Sequence, residues 1–204
     1  MREEHKGLAY WVKYLILPVL LISIWEAASL LGKLPAYMLP APHEILNLFI
    51  KTLINGTLIK NIGVSIGRVF SGFLLAAVVA ILLGVLISLS KNAEVVTGLL
   101  LQILKPIPPI AWIPIAIIWL GIGEPSKIFI IFIGAVFPIL TNVIDGIRQI
   151  DSRYFEVSQV FEIPRKKLIK DVVIPASLPQ VMTGLKIGLG NAWICVVAAE
   201  MIAT

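Results

Sequence analysis

The sequence predicts an all-α polytopic membrane protein with about five transmembrane helices, and three observations carry that expectation. Hydrophobic residues make up 58% of the 204-residue chain and charged residues only 14%, with a mean hydropathy of +0.96. A soluble domain carries about 25% charged residues, so the deficit calls for a non-aqueous solvent. Runs without charge reach bilayer length: Val69 to Ser90 holds 22 such residues, and about 20 suffice to cross as a helix. What charge there is gathers in the segments between those runs.

Residues 1–14 (MREEHKGLAYWVKY) are polar, with Trp11 and Tyr14 suited to a membrane interface. Leu15 to Leu31 is apolar apart from Glu26 and reads as a first span. Trp25 and Glu26 are wrong for the core of a cleaved signal peptide, and no clean small-residue cleavage site follows. Glu26, near the far end, is expected to snorkel outward. Gly32 to Asn61 contains Pro35, Pro40 and Pro42, then a mixed segment, His43 to Leu53. Ile45, Leu48, Phe49 and Thr52 share a helical face there, which predicts a short interfacial helix with His43 as its solvated N-terminal residue.

The second span is Val69 to Ser90, with Arg68 just inside its start and Gly67, Gly72 and Gly84 available for close helix approach. The KNAE turn at Lys91 to Glu94 ends it. Val95 to Leu120 forms a third span that must be broken, because Lys105, Pro106, Pro108, Pro109 and Pro114 fall within it. An interior proline costs a helix about 3 kcal/mol and removes a backbone donor. Broken backbone at membrane depth persists only inside protein or beside a water-filled cavity, so this span is expected to line a translocation path. Gly121 to Lys127 is a tight connection. Ile128 to Ile144, 17 residues without charge, is the fourth span with Pro138 as a kink. The polar loop Asp145 to Asp171 follows. Val172 to Thr204 has only Lys186 and Glu200 as charges and is the fifth span, with Pro175 and Pro179 punctuating its entry. The expected division is an N-terminal region, 1–61, with the first span and the interfacial segment, and a core, 62–204, whose functional loop is 145–175.

Charge fixes the expected orientation. With the N-terminus inside, cytoplasmic segments carry Arg2, Lys6, Lys13, Lys91, Arg148, Arg153, Arg165, Lys166, Lys167 and Lys170. External segments carry only Lys33, Lys51, Lys60 and Lys127. That asymmetry obeys the positive-inside rule and predicts a multi-pass protein of the cytoplasmic (inner) membrane with its N-terminus in the cytoplasm. The formal charge of +5 sits beside apolar runs and carries no nucleic-acid signature. A single cysteine, Cys195, excludes a disulfide within the chain, and its apolar setting suits packing. No Cys or His cluster has metal-ligand spacing. Trp112, Trp119 and Trp193 read as packing or interface residues.

The loop holds the strongest functional signal. Tyr154, Val157, Ser158 and Phe161 recur at helical spacing and form one apolar stripe. Pro164 sits where a first helical residue belongs and opens a second short helix, RKKLIKDVV. Two readings stand for such a pair on pattern alone: a docking element for a soluble partner, or an interfacial pair lying on membrane lipid headgroups.

Glu156-Val157-Ser158, with Ile174-Pro175 and Leu178-Pro179 downstream, resembles the cytoplasmic E-A-A loop of ABC importer permeases. Glu162 stands where that family has Gly. PIPPIAWIPIAIIWLGIGEPSKIFI (Pro106 to Ile130) and TGLKIGLGNAWICVVAAEMI (Thr183 to Ile202) are similar to the nitrate/sulfonate/taurine branch. The likeness runs roughly from Leu39 to Thr204. It implies a type I importer permease bundle, and since family members continue beyond this point, one that lacks its C-terminal span or spans. It further implies an ABC ATP-binding subunit, an external solute-binding protein and a second permease copy as partners, the last making a homodimer. ATP belongs to the partner, so no cofactor is expected here, and no G-x-x-x-x-G-K-[ST] phosphate loop is present.

On that resemblance the ATPase-docking residues are Phe155, Glu156, Val157, Ser158, Phe161, Glu162, Ile163 and Pro164. Phe155, Val157, Phe161 and Ile163 supply the buried contact, and Glu156 meets a basic group. Should position 162 need a positive φ, Glu there costs on the order of 1 kcal/mol. Intramembrane charges and broken backbone mark the translocation path: Lys105, Pro106, Pro108, Pro109, Lys186 and Glu200. For Arg68 and Lys105, near span ends, snorkelling to headgroups or pairing with helix ends is the favoured reading, and Glu200 could pair with a cation of a neighbouring span or face the external side. A basic path suits a small anion such as nitrate or a sulfonate, moved by alternating access. The competing classes are an intramembrane enzyme, for which no carboxylate pair, Ser/His pair or H-E-x-x-H site is present, and a passive channel, which needs no docking loop.

Overall fold

The computed structural model describes residues 8–32 and 37–202, where the chain is helical and holds no strand. The expectations for residues 1–7, Pro35 and the last two residues lie outside the described residues. The chain divides into two compact units, Met1–Gly63 and Val64–Thr204.

In the first unit, α1 is Leu8–Leu30, with Pro18 inside it, and α2 is Pro42–Ile54. Pro42 occupies the first turn of α2, where its missing N–H removes no helical bond. The Glu44 carboxylate accepts the Ala41 N–H at 3.3 Å. Ile45, Leu48 and Phe49 are exposed and α2 buries nothing, as an interfacial helix requires. His43 is exposed, as expected, and its ring lies 2.6 Å from the Glu26 carboxylate, which also accepts the His43 backbone N–H at 3.4 Å. A carboxylate at a helix N-terminus meets both an orphan donor and the positive end of the helix dipole.

The second helix span is longer than its charge-free run: α3 is Thr57–Leu89, 33 residues, so Arg68 lies well inside it rather than at its start. The chain continues with α4 (Lys91–Leu104), a 3₁₀ turn (Pro109–Trp112), α5 (Ile113–Leu120), α6 (Glu124–Arg148), α7 (Ser152–Val160), α8 (Arg165–Leu168) and α9 (Ile174–Ile202). Ser90 caps α4 by accepting the Ala93 N–H. Pro106, Pro108 and Pro109 end that helix, and the axis turns by 94° into the Pro109–Leu120 arm. Pro175 and Pro179 do not punctuate an entry. A π turn at Ile169–Val173 joins α8 to α9, so Lys166–Met201 is one 36-residue helix and the second loop helix is its first turns.

Three of the described helices, Thr57–Leu89, Glu124–Arg148 and Lys166–Met201, are long and apolar enough to cross a membrane, and the bent pair α4/α5 makes a fourth if counted as one span. The apolar part of α1, Tyr14–Leu30, is shorter.

α6 is the hub. Ile130, Ile131, Ile139 and Val143 on it are fully buried, with Val69 of α3 and Val196 of α9. Glycines set the packing register. A Cβ on Gly72 would meet Ile131 at 2.6 Å and one on Gly84 would meet Val143 at 2.6 Å. Both partners are offset equally along the chain, so α3 and α6 run parallel. Gly67, expected to join them, has open space around it. On the other side Gly134 packs on Cys195, Ile139 on Gly188, Asn142 on Gly184 and Gly146 on Gln180. Those partners descend as α6 ascends, so α6 and α9 are antiparallel. Small residues let backbones approach where apolar burial gives no net drive, because lipid is as apolar as the helix face.

The parallel α3/α6 pair decides what the bent segment is. Its start is tied to the far end of α6, because Arg148 donates to Glu94 at 2.6 Å. It ends at Gly123, beside Glu124, the first residue of α6. Residues 90–123 therefore travel the length of α6, about 37 Å for 25 residues at 1.5 Å each. The segment thus runs from one end of the bundle to the other, as a broken span would.

Candidate functional site

α7 begins with Asp151, whose side chain accepts the Arg153 N–H at 2.9 Å, and ends at Val160. Beyond it the Glu162 N–H reaches the Gln159 carbonyl at 3.1 Å and the Ile163 N–H reaches the Ser158 carbonyl at 2.9 Å. These two bonds form a Schellman turn, whose key residue takes a left-handed conformation favouring glycine. Glu162 has φ +50° and is the one non-glycine with positive φ among the described residues. The condition raised by the sequence is thus met, and the departure from Gly carries a backbone cost.

α7 presents two faces. Tyr154, Val157 and Phe161 are exposed, Phe161 at 73%, and Glu156, Glu162 and Pro164 are exposed beside them. Ser158 is buried with its hydroxyl on the Phe155 carbonyl at 2.7 Å. Phe155 packs against the core and so belongs to the inner face, not to the outward stripe. Ile163 lies between the two at 36% exposure. The Pro164 carbonyl accepts the Lys167 and Leu168 N–H groups at 2.9 and 3.1 Å and starts α8. Beneath α7 lies a cleft of about 810 Å³, with Phe155, Gln159 and Ile163 on its roof and Leu89, Ile147 and Val173 on its floor. α7 is held to the bundle by its ends and by few buried side chains.

The proline break borders a second site. Lys105 and Pro109 line a cleft of about 300 Å³ together with Pro138, Thr141 and Asn142 of α6 and Asn191 of α9. Pro138 has no N–H to offer the Gly134 carbonyl one turn earlier, and both residues line the cleft. Asn142 Nδ2 donates to the Pro138 carbonyl at 2.8 Å, and the Thr141 hydroxyl donates to Phe137 and Pro138 carbonyls at 3.0 and 3.2 Å. Pro106 and Pro108 are exposed at the break. A smaller cleft of about 230 Å³ shares Lys105 and Thr141 and leads to Glu94, Asp145 and Arg148.

Lys186 and Glu200 do not join Lys105. Lys186 is exposed on α9 between Gly184 and Gly188, the residues that face α6, so it points away from that helix. The α9 residues at the cleft are Ile187 and Asn191. Glu200 accepts from Arg68 Nη1 at 2.6 Å and from Ser65 Oγ at 2.8 Å, while Arg68 also forks onto Glu124, with Nε to Oε2 at 2.6 Å. Arg68 and Glu200 thus take the ion-pair role that the sequence left open. Thr141, Asn142 and Asn191 were passed over in the sequence. Their signal was modest: amides and a hydroxyl at i, i+3 and i+4 spacing after a proline within charge-free runs.

The chain was then compared with known proteins. The family described as binding-protein-dependent transport system inner membrane component matches residues 76–204, from the middle of α3 through α9. A putative aliphatic sulfonates transport permease of Bacillus subtilis is 38% identical over 194 residues, covering 95% of this chain and 70% of that protein. A bicarbonate transport system permease of Synechococcus elongatus is 41% identical over 138 residues, 68% of this chain and 50% of that protein. A nitrate import permease of Synechocystis is 39% identical over 173 residues, 80% of this chain and 63% of that protein.

Proposed function

We infer the function from a plain premise: this chain belongs to the binding-protein-dependent transport system inner membrane component family. It is an integral membrane protein, and we read it as the membrane-spanning permease subunit of an ATP-driven importer. The cargo class is a small oxyanion. Relatives named for aliphatic sulfonates, bicarbonate and nitrate share that chemistry, one anionic oxygen cluster on a small body. Energy comes from a separate ATP-binding subunit, and capture of the solute from a separate binding protein. The protein sits in the cytoplasmic membrane with α7 on the inner side, where its basic flanks Arg148, Arg153, Lys166 and Lys167 obey the positive-inside rule.

The observation that carries the coupling role is the form of α7. It is a short capped helix with an apolar outer stripe, anchored at both ends over a hollow of about 810 Å³. A helix so mounted offers Tyr154, Val157 and Phe161 to a cleft on the ATPase, with Glu156 beside them for a basic partner, and has room to tilt. A few aromatic anchors dominate an interface of this kind. Because the π turn continues into α9, movement of α7 and α8 reaches the bundle through one continuous helix. Alternating access follows: closure of the ATPase pair draws the docked helices together, and the crossings α3, α6 and α9 reopen toward the other side. Lys105 and its proline-lined cleft lie on the path. Lys186, on the open face of α9, reaches it where a second permease copy closes over that face, and Glu200, held by Arg68, stands at the opposite end.

The test is ATP-dependent uptake of nitrate, bicarbonate and an alkanesulfonate by vesicles holding the permease, its ATPase and its binding protein. Phe161→Asp should insert normally and lose ATP-driven uptake. Uptake at the unaltered rate by that variant would overturn the α7 docking role.

A further inference from the structure

We propose that the cleft between the α4–α5 break and the α6/α9 pair is a binding subsite for a singly charged small oxyanion, with Lys105 as its cation and Asn191 and Asn142 as its amide donors. The proposal rests on the importer reading and gives it a place where cargo pauses.

The cleft of about 300 Å³ has one charged lining residue, Lys105, with Thr141, Asn142 and Asn191 as its polar side chains and Phe137 and Ile187 among its apolar walls. Lys105 has no ion-pair partner among the described residues. Arg68 and Arg148, by contrast, are both paired with glutamates. Lys105 is exposed where it lines the cleft, so an incoming anion can reach its ammonium group. The Asn191 amide makes no hydrogen bond among the described residues, so both of its N–H groups are free to donate. Asn142 commits one N–H to Pro138 and retains the other. Thr141 has committed its hydroxyl proton to backbone carbonyls and offers an anion nothing. Selectivity therefore comes from one charge and amide donors on two helices.

Charge number follows from that inventory. A monoanion is neutralised by Lys105, whereas a dianion keeps one charge that no other lining cation compensates. The adjoining cleft of about 230 Å³ strengthens the assignment. There Glu94 and Arg148 neutralise each other at 2.6 Å, and Asp145 adds a negative charge with no ion-pair partner among the described residues. An anion at Lys105 is thus repelled from the Asp145 side and held on the Asn191 side.

The experiment is anion binding to the purified chain in lipid nanodiscs, with nitrate, methanesulfonate and sulfate as probes. Nitrate and methanesulfonate should bind and compete with each other, and sulfate should not displace them. Lys105→Gln and Asn191→Leu should each weaken binding by about tenfold or more, while Lys51→Gln, on the surface of α2, should not. Thermal unfolding of each variant keeps a folding defect distinct from a lost ligand. The subsite is overturned if the unmodified chain binds neither monoanion, if Lys105→Gln binds as well as its parent, or if sulfate binds as tightly as nitrate. Vesicle uptake separates the two levels of inference. ATP-driven uptake by Lys105→Gln at an unchanged KM overturns the subsite and leaves the importer standing. Lys105-dependent binding without ATP-driven uptake of any small oxyanion supports the subsite and overturns the importer.

Discussion

Arg68 of α3 and Glu200 of α9, 132 residues apart in sequence, are joined by a hydrogen bond of 2.6 Å. The same guanidinium forks onto Glu124 at the start of α6. One arginine thereby ties together the three helices that are long enough to cross, all at one end of the bundle. A planar fork with two carboxylates is a directional clamp, which apolar contacts in lipid do not provide.

Replacing Arg68 with Gln should lower stability by about 1–3 kcal/mol, the range for charge-assisted hydrogen bonds. The Glu124 and Glu200 carboxylates then lose their shared guanidinium donor. Glu124→Gln should cost less, because that side chain is 55% exposed and its pairing is screened. Thermal unfolding in detergent checks both. Equal midpoints for Arg68→Gln and the parent would show the clamp to be dispensable.

Glu162→Gly should stabilise the protein by about 1 kcal/mol, since φ +50° is free of strain only for glycine. Glu162→Val should do the reverse and by more, because a β-branched residue resists that conformation. Proteolysis between α7 and α8 is the sensitive measure, with Glu162→Gly expected to be the slowest cut. A glycine variant cut faster than the parent would argue that the Glu162 side chain, not the turn, matters.

Gly188 and Gly190 should behave oppositely although they are two residues apart. A Cβ on Gly188 would stand 2.7 Å from the Ile139 side chain and 3.2 Å from the Ala135 carbonyl, so Gly188→Leu should force α6 and α9 apart at a cost of about 1–3 kcal/mol or more. Gly190 has open space, and Gly190→Ala should be neutral or stabilise the helix by about 0.5–1 kcal/mol. Unfolding midpoints of the pair report the result directly.

The two faces of α7 should separate by substitution. Val157→Asp, on the outer face, should reduce co-purification of the ATP-binding subunit with no change in unfolding temperature. Phe155→Ala, on the core side, should lower the unfolding temperature, since truncating a partly buried aromatic loses apolar contact. Loss of co-purification by Phe155→Ala alone would reverse the assignment of faces.

Much of this was legible before any coordinates. Charge-free or charge-poor runs located α3, α6 and α9, because burying charge in hydrocarbon is costly enough to show in composition. The proline cluster at 106–109 located the break, because proline cannot continue the helical ladder. Glu162 could be singled out because the family's glycine at that point implies a backbone need. The inner and outer faces of α7 were not so legible. Val157 and Ser158 share a stripe on a helical wheel, yet Ser158 is the buried one, its hydroxyl satisfied by the turn before it.

The sequence by itself determined that this is a chain of helices and where they break, since both follow from local composition and spacing, and its motifs carried the resemblance to the family. Only the tertiary structure decided that α3 and α6 run parallel, that residues 90–123 run the length of α6, that Arg68 holds Glu200, and that Lys105 lines one cleft with Asn191 while Lys186 does not. The reason is the solvent. In water an apolar stripe points to the core, but in lipid both faces of a crossing helix are apolar, so hydropathy carries no sign of which neighbour a face will meet. That choice falls to small residues and to polar side chains far apart in sequence, and it is made only when the helices pack.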